Sequence, residues 1–254
     1  PLLLLRLLLL APVLLAAPPP WRDLAGDGAA GAGAGDEHDR RSYFLIIDAG
    51  SSGSRLRMYV KDGGTLQEYL ARPEDADAFQ TEPGLSAYAA QPSEAGPSLR
   101  GLLEAARRYI PEEAQAEAQL WVKATAGLRI VAPSVLRSIF GSVDAYLLNP
   151  RLSPFKFVAS EVLGGEEEAV FAYLSLNRML GTVSSSCRDC VGALDMGGAS
   201  MQIAYKPKGD ILANEFSYYV HQKRQSVYAK SYIRFGIDEA LLRLKRKVLA
   251  TSGA

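Results

Sequence analysis

Two short stretches of the chain join a carboxylate to a run of small residues. The first is Tyr43-Phe-Leu-Ile-Ile-Asp48-Ala-Gly50-Ser51-Ser52-Gly53-Ser54-Arg55. An apolar run of β-formers ends on Asp48, a turn of glycine and serine follows, and alternation resumes at Leu56, Met58 and Val60, which predicts strand, turn and strand. Backbone N–H groups in such a turn can converge on an anion. The hydroxyls of Ser51, Ser52 and Ser54 add donors, and Asp48 can hold a cation beside the same anion. A phosphate together with a divalent metal uses all of these parts. Taken alone, Asp-x-Gly-Ser-Ser is equally the ordinary end of a hairpin. The second stretch, Val191-Gly-Ala-Leu-Asp195-Met-Gly197-Gly198-Ala199-Ser200-Met201-Gln202-Ile203, repeats the plan. A repeat of this kind predicts two similar lobes, each offering a phosphate-binding turn to a shared cleft.

Three further residues have types and positions suited to the same chemistry. Thr125 and Arg129 follow the strand pattern Gln119-Leu-Trp-Val-Lys-Ala124. Thr125 is either a strand-end hydroxyl satisfied by backbone or part of the cleft. Arg129 is either one half of an ion pair or a two-pronged phosphate donor. Glu166, Glu167 and Glu168 open a helical pattern that runs through Val170, Phe171 and Leu174. The helix dipole accounts for the first two, whereas Glu168 begins the inward apolar face, where a carboxylate is costly without a partner or a chemical role. Such a group can orient and deprotonate a water. The only cysteines, Cys187 and Cys190, stand in Cys-x-x-Cys spacing and fit a small disulfide loop better than a zinc site or a redox centre. His38 and His221 have no partner cluster and are read as bystanders.

These residues need elements to hold them. After the first hairpin, residues 65–71 predict a third strand, and Arg72 to Pro97 a long surface connection. Ser98 is a candidate N-cap for a helix ending at Pro111, and Ser134 for one running to Leu147, with a last strand from Pro154 to Ala159. The order βββαβαβ is the layout of a ribonuclease-H-like lobe. A chain of 254 residues with 48% hydrophobic and 22% charged residues can bury one or two cores. Lys+Arg and Asp+Glu are equal at 28 each, so no global charge attracts nucleic acid. Residues 1–20 form an apolar leader suited to a signal peptide or a signal anchor, which implies membrane association through that segment. Residues 21–41 read as a low-complexity linker, 42–162 as a first lobe and 163–254 as a second, partial one.

Four motifs in order carry a resemblance: Asp48-Ala-Gly-Ser-Ser-Gly-Ser-Arg55, Lys123-Ala-Thr-Ala-Gly-Leu-Arg129, Gly165-Glu-Glu-Glu-Ala-Val-Phe-Ala-Tyr173 and Ala193-Leu-Asp-Met-Gly-Gly-Ala-Ser200. They resemble the first four conserved regions of the nucleoside triphosphate diphosphohydrolases, or ecto-apyrases, of the actin-like and sugar-kinase-like α/β superfold. The segment Val220-His-Gln-Lys-Arg-Gln-Ser-Val-Tyr228 resembles the Golgi and lysosomal branch that prefers nucleoside diphosphates.

The resemblance implies hydrolysis of the terminal phosphate of a nucleoside di- or triphosphate by an activated water. It assigns Glu168 as general base, with Ser200 and Gln202 holding the water. Asp48 and Asp195 become the acids for Mg²⁺ or Ca²⁺, largely through its water shell, with Thr125 nearby. Ser51, Ser52, Gly53 and Ser54 form the first phosphate loop and Gly197, Gly198 and Ala199 the second, with Arg55 and Arg129 as further phosphate contacts. A secretory-pathway lumen is implied, Golgi or lysosomal and endosomal first, with the cell surface or secretion as alternatives. Ala169 stands where most members have glycine and Tyr173 where many have tryptophan. No fifth conserved region precedes Ala254, so the second lobe is expected to be incomplete. The alternative reading is therefore an inactive truncated form that at most binds metal-nucleotide.

Overall fold

The computed structural model describes residues 41–62, 65–68, 73–183, 187, 189–220 and 223–252. The apolar leader, nearly all of the linker, His38 and His221 lie outside them. No helix among the described residues is long and apolar enough to cross a membrane. The chain divides into two compact units that meet in sequence at Val162 and Leu163.

The first unit is built on β1 (Ser42–Ala49), whose apolar run is buried on both faces, with Leu45 and Ile47 fully enclosed. A strand with no polar alternation belongs in the middle of a sheet. It pairs antiparallel with β2 (Ser54–Asp62), which pairs with β3 (Thr65–Glu68) and with the short β4 (Gln80–Thr81). On its other side lies parallel β5 (Gln119–Ala124), and beyond that parallel β6 (Lys156–Val162). The resulting order is β3-β2-β1-β5-β6, with β4 beside β2. Parallel neighbours need long crossovers. The connection from the β2 side to β5 contains α1 (Arg100–Tyr109) and α2 (Glu112–Gln115); that from β5 to β6 contains α3 (Ala126–Arg129) and α4 (Pro133–Leu148). The core joins Leu45, Ile47, Leu56, Met58, Leu120 and Val122 of the sheet to helical residues including Leu102, Leu103, Ile139 and Val143.

Several boundaries differ from those read in the sequence. The expected connection from Arg72 to Pro97 is not a loose surface strap. Among the described residues it folds into 3-10 turns at Pro73–Phe79, Leu85–Ala90 and Pro92–Glu94, with another at Pro97–Leu99. Phe79, Leu85, Ala95 and Leu99 are buried. Frequent prolines block a regular helix while spaced apolar residues still pin the segment to the core. Ser98 is not the cap of α1: it lies in the turn that runs into that helix, its hydroxyl donating to the Ala95 carbonyl at 2.7 Å. Nor does Ser134 cap α4, which begins at Pro133 with Ala132 before it. Proline suits the first helical position because its fixed φ is already helical and its missing N–H would have had no partner there. β6 starts at Lys156 rather than Pro154 and continues to Val162.

The second unit contains α5 (Gly165–Met179), β7 (Ala193–Met196), β8 (Ser200–Tyr205), β9 (Glu215–Val220), β10 (Lys223–Ile233) and α6 (Ile237–Ser252). Its sheet is antiparallel in the order β7-β8-β10-β9. Val170, Tyr173 and Leu174 of α5 form one core with Ala193, Ala204, Val227 and Ala229. Strand alternation sends Leu194, Met196, Tyr205 and Tyr232 to the opposite face, where they are exposed. Leu241, Leu244, Val248 and Leu249 of α6 are exposed as well.

Cys187 and Cys190 are joined in a disulfide, as the spacing suggested. The segment around it is tied to α5 by Asn177, which is fully buried. The Asn177 amide donates to the carbonyls of Tyr173 and Val191, both at 2.9 Å; its oxygen accepts from the Val191 N–H at 2.8 Å and the Thr182 hydroxyl at 2.7 Å. Removing it would leave several buried polar groups unpaired. Asn177→Ala is therefore expected to destabilise this unit by about 2–4 kcal/mol. Chemical denaturation followed by tyrosine fluorescence checks this, and an unchanged midpoint would refute it.

Candidate active site

The first turn spans residues 50–53, closed by the Gly50 N–H donating to the Gly53 carbonyl at 2.9 Å. Asp48, buried near the end of β1, faces Arg55 across the antiparallel pair and Lys123 across the parallel pair. Cationic residues thus stand in register with it on both neighbouring strands. Lys123 also makes an ion pair with Glu161. Thr125 is fixed at the end of β5 by its N–H, which donates to the Ala49 carbonyl at 3.1 Å, and α3 starts immediately after it. Arg129 ends α3 and is half-buried. Ser51 is half-buried and Ser52 exposed, while Ser54 is buried and its hydroxyl has no hydrogen-bond partner among the described residues.

Two glycines hold the first turn by closeness alone. A Cβ on Gly84 would lie 2.5 Å from the Gly50 carbonyl oxygen and 2.6 Å from that of Ser51; one on Gly127 would lie 2.8 Å from the Ser51 Cα. Backbone cannot yield cheaply at such distances. Gly127→Ala is expected to displace Ser51, and with it the phosphate contact proposed below for this turn, so that affinity for a nucleoside diphosphate falls by about tenfold. Calorimetric titration with a non-hydrolysable nucleoside diphosphate analogue checks this; an unaltered Kd would remove Gly127 from the account.

The second turn is closed in the same way. The Gly197 N–H donates to the Ser200 carbonyl at 3.0 Å, so in both turns the bond runs from the second residue after the Asp to the fifth. Asp195 faces Gln202 across its hairpin as Asp48 faces Arg55. The repeat seen in the sequence is thus also a repeat of register and of turn closure. Burial pushes the Asp195 carboxyl above its usual range.

Alternation puts Ser200 and Gln202 on the face that α5 covers, and there they meet Glu168. Glu168 is buried, and its Oε2 accepts from Gln202 Nε2 at 2.9 Å. The same amide nitrogen lies 2.7 Å from Ser200 Oγ and 3.2 Å from Ser231 Oγ. The reverse amide orientation would set two acceptors against each other, so the nitrogen faces the carboxylate. Gln202 Oε1 is then buried without a hydrogen-bond partner among the described residues. The neighbouring acid Glu167 serves the helix instead, its Oε2 accepting from the Gly164 N–H at 2.8 Å to cap α5. Ser231 carries no signal in the sequence. It faces Gln202 across β8 and β10, a position that only strand pairing reveals.

No group of three or more His, Cys, Asp or Glu side chains among the described residues forms a metal cage. Asp48 and Asp195 each stand one residue before the end of a strand and just ahead of a turn of small residues, and carboxylate oxygens of this kind suit a hard cation such as Mg²⁺ or Ca²⁺.

Residues 35–253 match the model of the GDA1/CD39 (nucleoside phosphatase) family. The chain is 33% identical over 222 residues to a guanosine-diphosphatase of Schizosaccharomyces pombe, covering 84% of the chain and 39% of that protein. It is 35% identical over 225 residues to ectonucleoside triphosphate diphosphohydrolase 8 of Homo sapiens, covering 80% of the chain and 43% of that protein. It therefore spans less than half the length of these relatives. Among solved structures, a nucleoside triphosphate hydrolase from Neospora caninum superposes with a TM-score of 0.54 at 18% identity, over 79% of this chain and 46% of that one. This likeness shows the fold, which is that of the actin-like superfold. With family match, sequence identity and fold in agreement, the chain belongs to the GDA1/CD39 (nucleoside phosphatase) family.

Proposed function

We propose that this chain provides the phosphate-binding turns and the water-activating carboxylate of a nucleoside di- or triphosphate phosphohydrolase that releases orthophosphate. The observation that carries the reading is the buried cluster of Glu168, Gln202 and Ser200 at the base of the second turn. Ser200 Oγ accepts from Gln202, which leaves its own O–H to donate to a water; Gln202 Oε1 and Glu168 accept the hydrogens of that water. A water so held presents a lone pair, and Glu168 takes its proton as the bond to phosphorus forms. Backbone N–H groups of both turns, with the Ser51, Ser52 and Ser54 hydroxyls and Arg55, bind the phosphate oxygens. Thr125 and Arg129 are proposed to contribute there too. Asp48 and Asp195 would hold Mg²⁺ or Ca²⁺, which when bound neutralises phosphate charge. The secretory pathway is the proposed location, with the leader as membrane attachment.

The test is phosphate release from UDP, GDP and ATP in ¹⁸O-labelled water. The expected product is orthophosphate carrying one solvent oxygen. Transfer to a sugar hydroxyl without solvent oxygen would instead mark a kinase of the same superfold and overturn the reading. A second reading, in which the chain binds metal-nucleotide without turning it over, is favoured by the exposed apolar face of the second sheet. Binding without phosphate release would select it.

A further inference from the structure

The second turn is supported from behind by a segment that no motif includes. Arg234 leaves β10 in the left-handed region, at φ 66°, and its N–H donates to the Ala199 carbonyl at 2.7 Å. A long side chain adopts this conformation at a cost, so the surrounding structure must hold it there. Gly236 follows, and its carbonyl accepts the first α6 bond from the Ala240 N–H at 2.9 Å. The first donors of a helix have no partner within it. In α6 three of them go to the turn: the Ile237 N–H to the Gly197 carbonyl at 2.9 Å, and those of Asp238 and Glu239 to the Gly198 carbonyl at 3.0 and 3.3 Å. The helix is braced in turn by Arg243, whose guanidinium lies 4.7 Å from the centre of the Phe235 ring and donates to the Arg234 carbonyl.

Three consecutive carbonyls, of Gly197, Gly198 and Ala199, are therefore all occupied by the segment of residues 234–239. A trans peptide is planar, so its N–H points opposite to its C=O. Fixing those carbonyls sends the N–H groups of Gly198 and Ala199 away from α6. We propose that the segment Arg234–Glu239 is a positioning element for the proposed reaction, with Gly236 as its key residue, and that the N–H groups it sets, those of Gly198 and Ala199, receive the phosphate. This rests on reading the turns as phosphate-binding. Gly236 is required because a Cβ there would lie 2.4 Å from the Gly198 carbonyl carbon and oxygen and 2.5 Å from the Gly197 oxygen. The arrangement has a counterpart in the first unit, where Gly84 touches the carbonyls of Gly50 and Ser51.

The test isolates one N–H in the full chain. Ile237→Ala keeps the donor and is the reference. Ile237→Pro removes it, and proline is tolerated at the first position of a helix. Gly236→Ala adds the intruding Cβ. Each protein is titrated with inorganic phosphate and Mg²⁺ while amide resonances of both turns are followed by NMR, with circular dichroism to verify α6. The expected result is saturable shifts at Gly198 and Ala199 in the parent and in Ile237→Ala, with about tenfold more phosphate needed in Ile237→Pro and in Gly236→Ala. The amides of Ser51, Ser52 and Gly53 should respond alike in all four proteins. Equal apparent Kd for Ile237→Pro and Ile237→Ala would overturn the proposal. So would a response confined to the first turn, which would leave the phosphate-binding reading intact for that turn. Silence of both turns in the parent would refute the phosphate-binding reading itself, and the positioning role with it.

Discussion

Glu168→Gln is expected to bind metal-nucleotide with near-parental affinity while its kcat for phosphate release falls by about a hundredfold or more. Glutamine keeps the size of the side chain and an oxygen able to accept from Gln202 Nε2, so the buried cluster retains its packing and its 2.9 Å bond. What it loses is the ability to take a proton from water. A split between intact binding and lost turnover therefore reports on base catalysis, whereas a folding defect would lower both. The comparison is made on this chain and on a version continued to the length of its relatives, with circular dichroism confirming that both remain folded. Turnover of UDP or ATP close to that of the parent would remove Glu168 from the chemistry.

Chelation carries the second large effect. EDTA is expected to abolish phosphate release, and Mg²⁺ or Ca²⁺ to restore it, while Asp48→Ala and Asp195→Ala each lose divalent-dependent hydrolysis that added metal does not recover. Asp48 stands in register with Arg55 and Lys123. Without its charge those cations would attract phosphate more strongly, so the variant should keep or even gain metal-free anion binding while losing hydrolysis. This opposite movement distinguishes loss of a cation ligand from a collapsed turn. Activity that persists in EDTA would rule out metal assistance.

The hairpins are legible in the sequence because each joins period-two alternation to a turn of small residues, and because the plan recurs. Glu168 is legible by contradiction: it is a carboxylate at the start of an apolar helix face, next to Glu167, which caps that helix. Residues that act through backbone or through pairing are not legible. Ser231 matters only because β10 lies beside β8, and Gly84 and Gly236 only because distant backbone atoms lie where their Cβ atoms would be. The 3-10 turns before α1 are hidden because proline-rich composition resembles a loop whether or not its apolar residues reach the core.

Both turns are closed by their own hydrogen bond, and the second has its carbonyls fixed by α6 and the residue that leaves β10. The conformational entropy of ordering these peptides is therefore lost when the chain folds rather than when nucleotide arrives. Association should then need no rearrangement of either turn. Any slow step in the proposed nucleotide association would then lie outside these two turns.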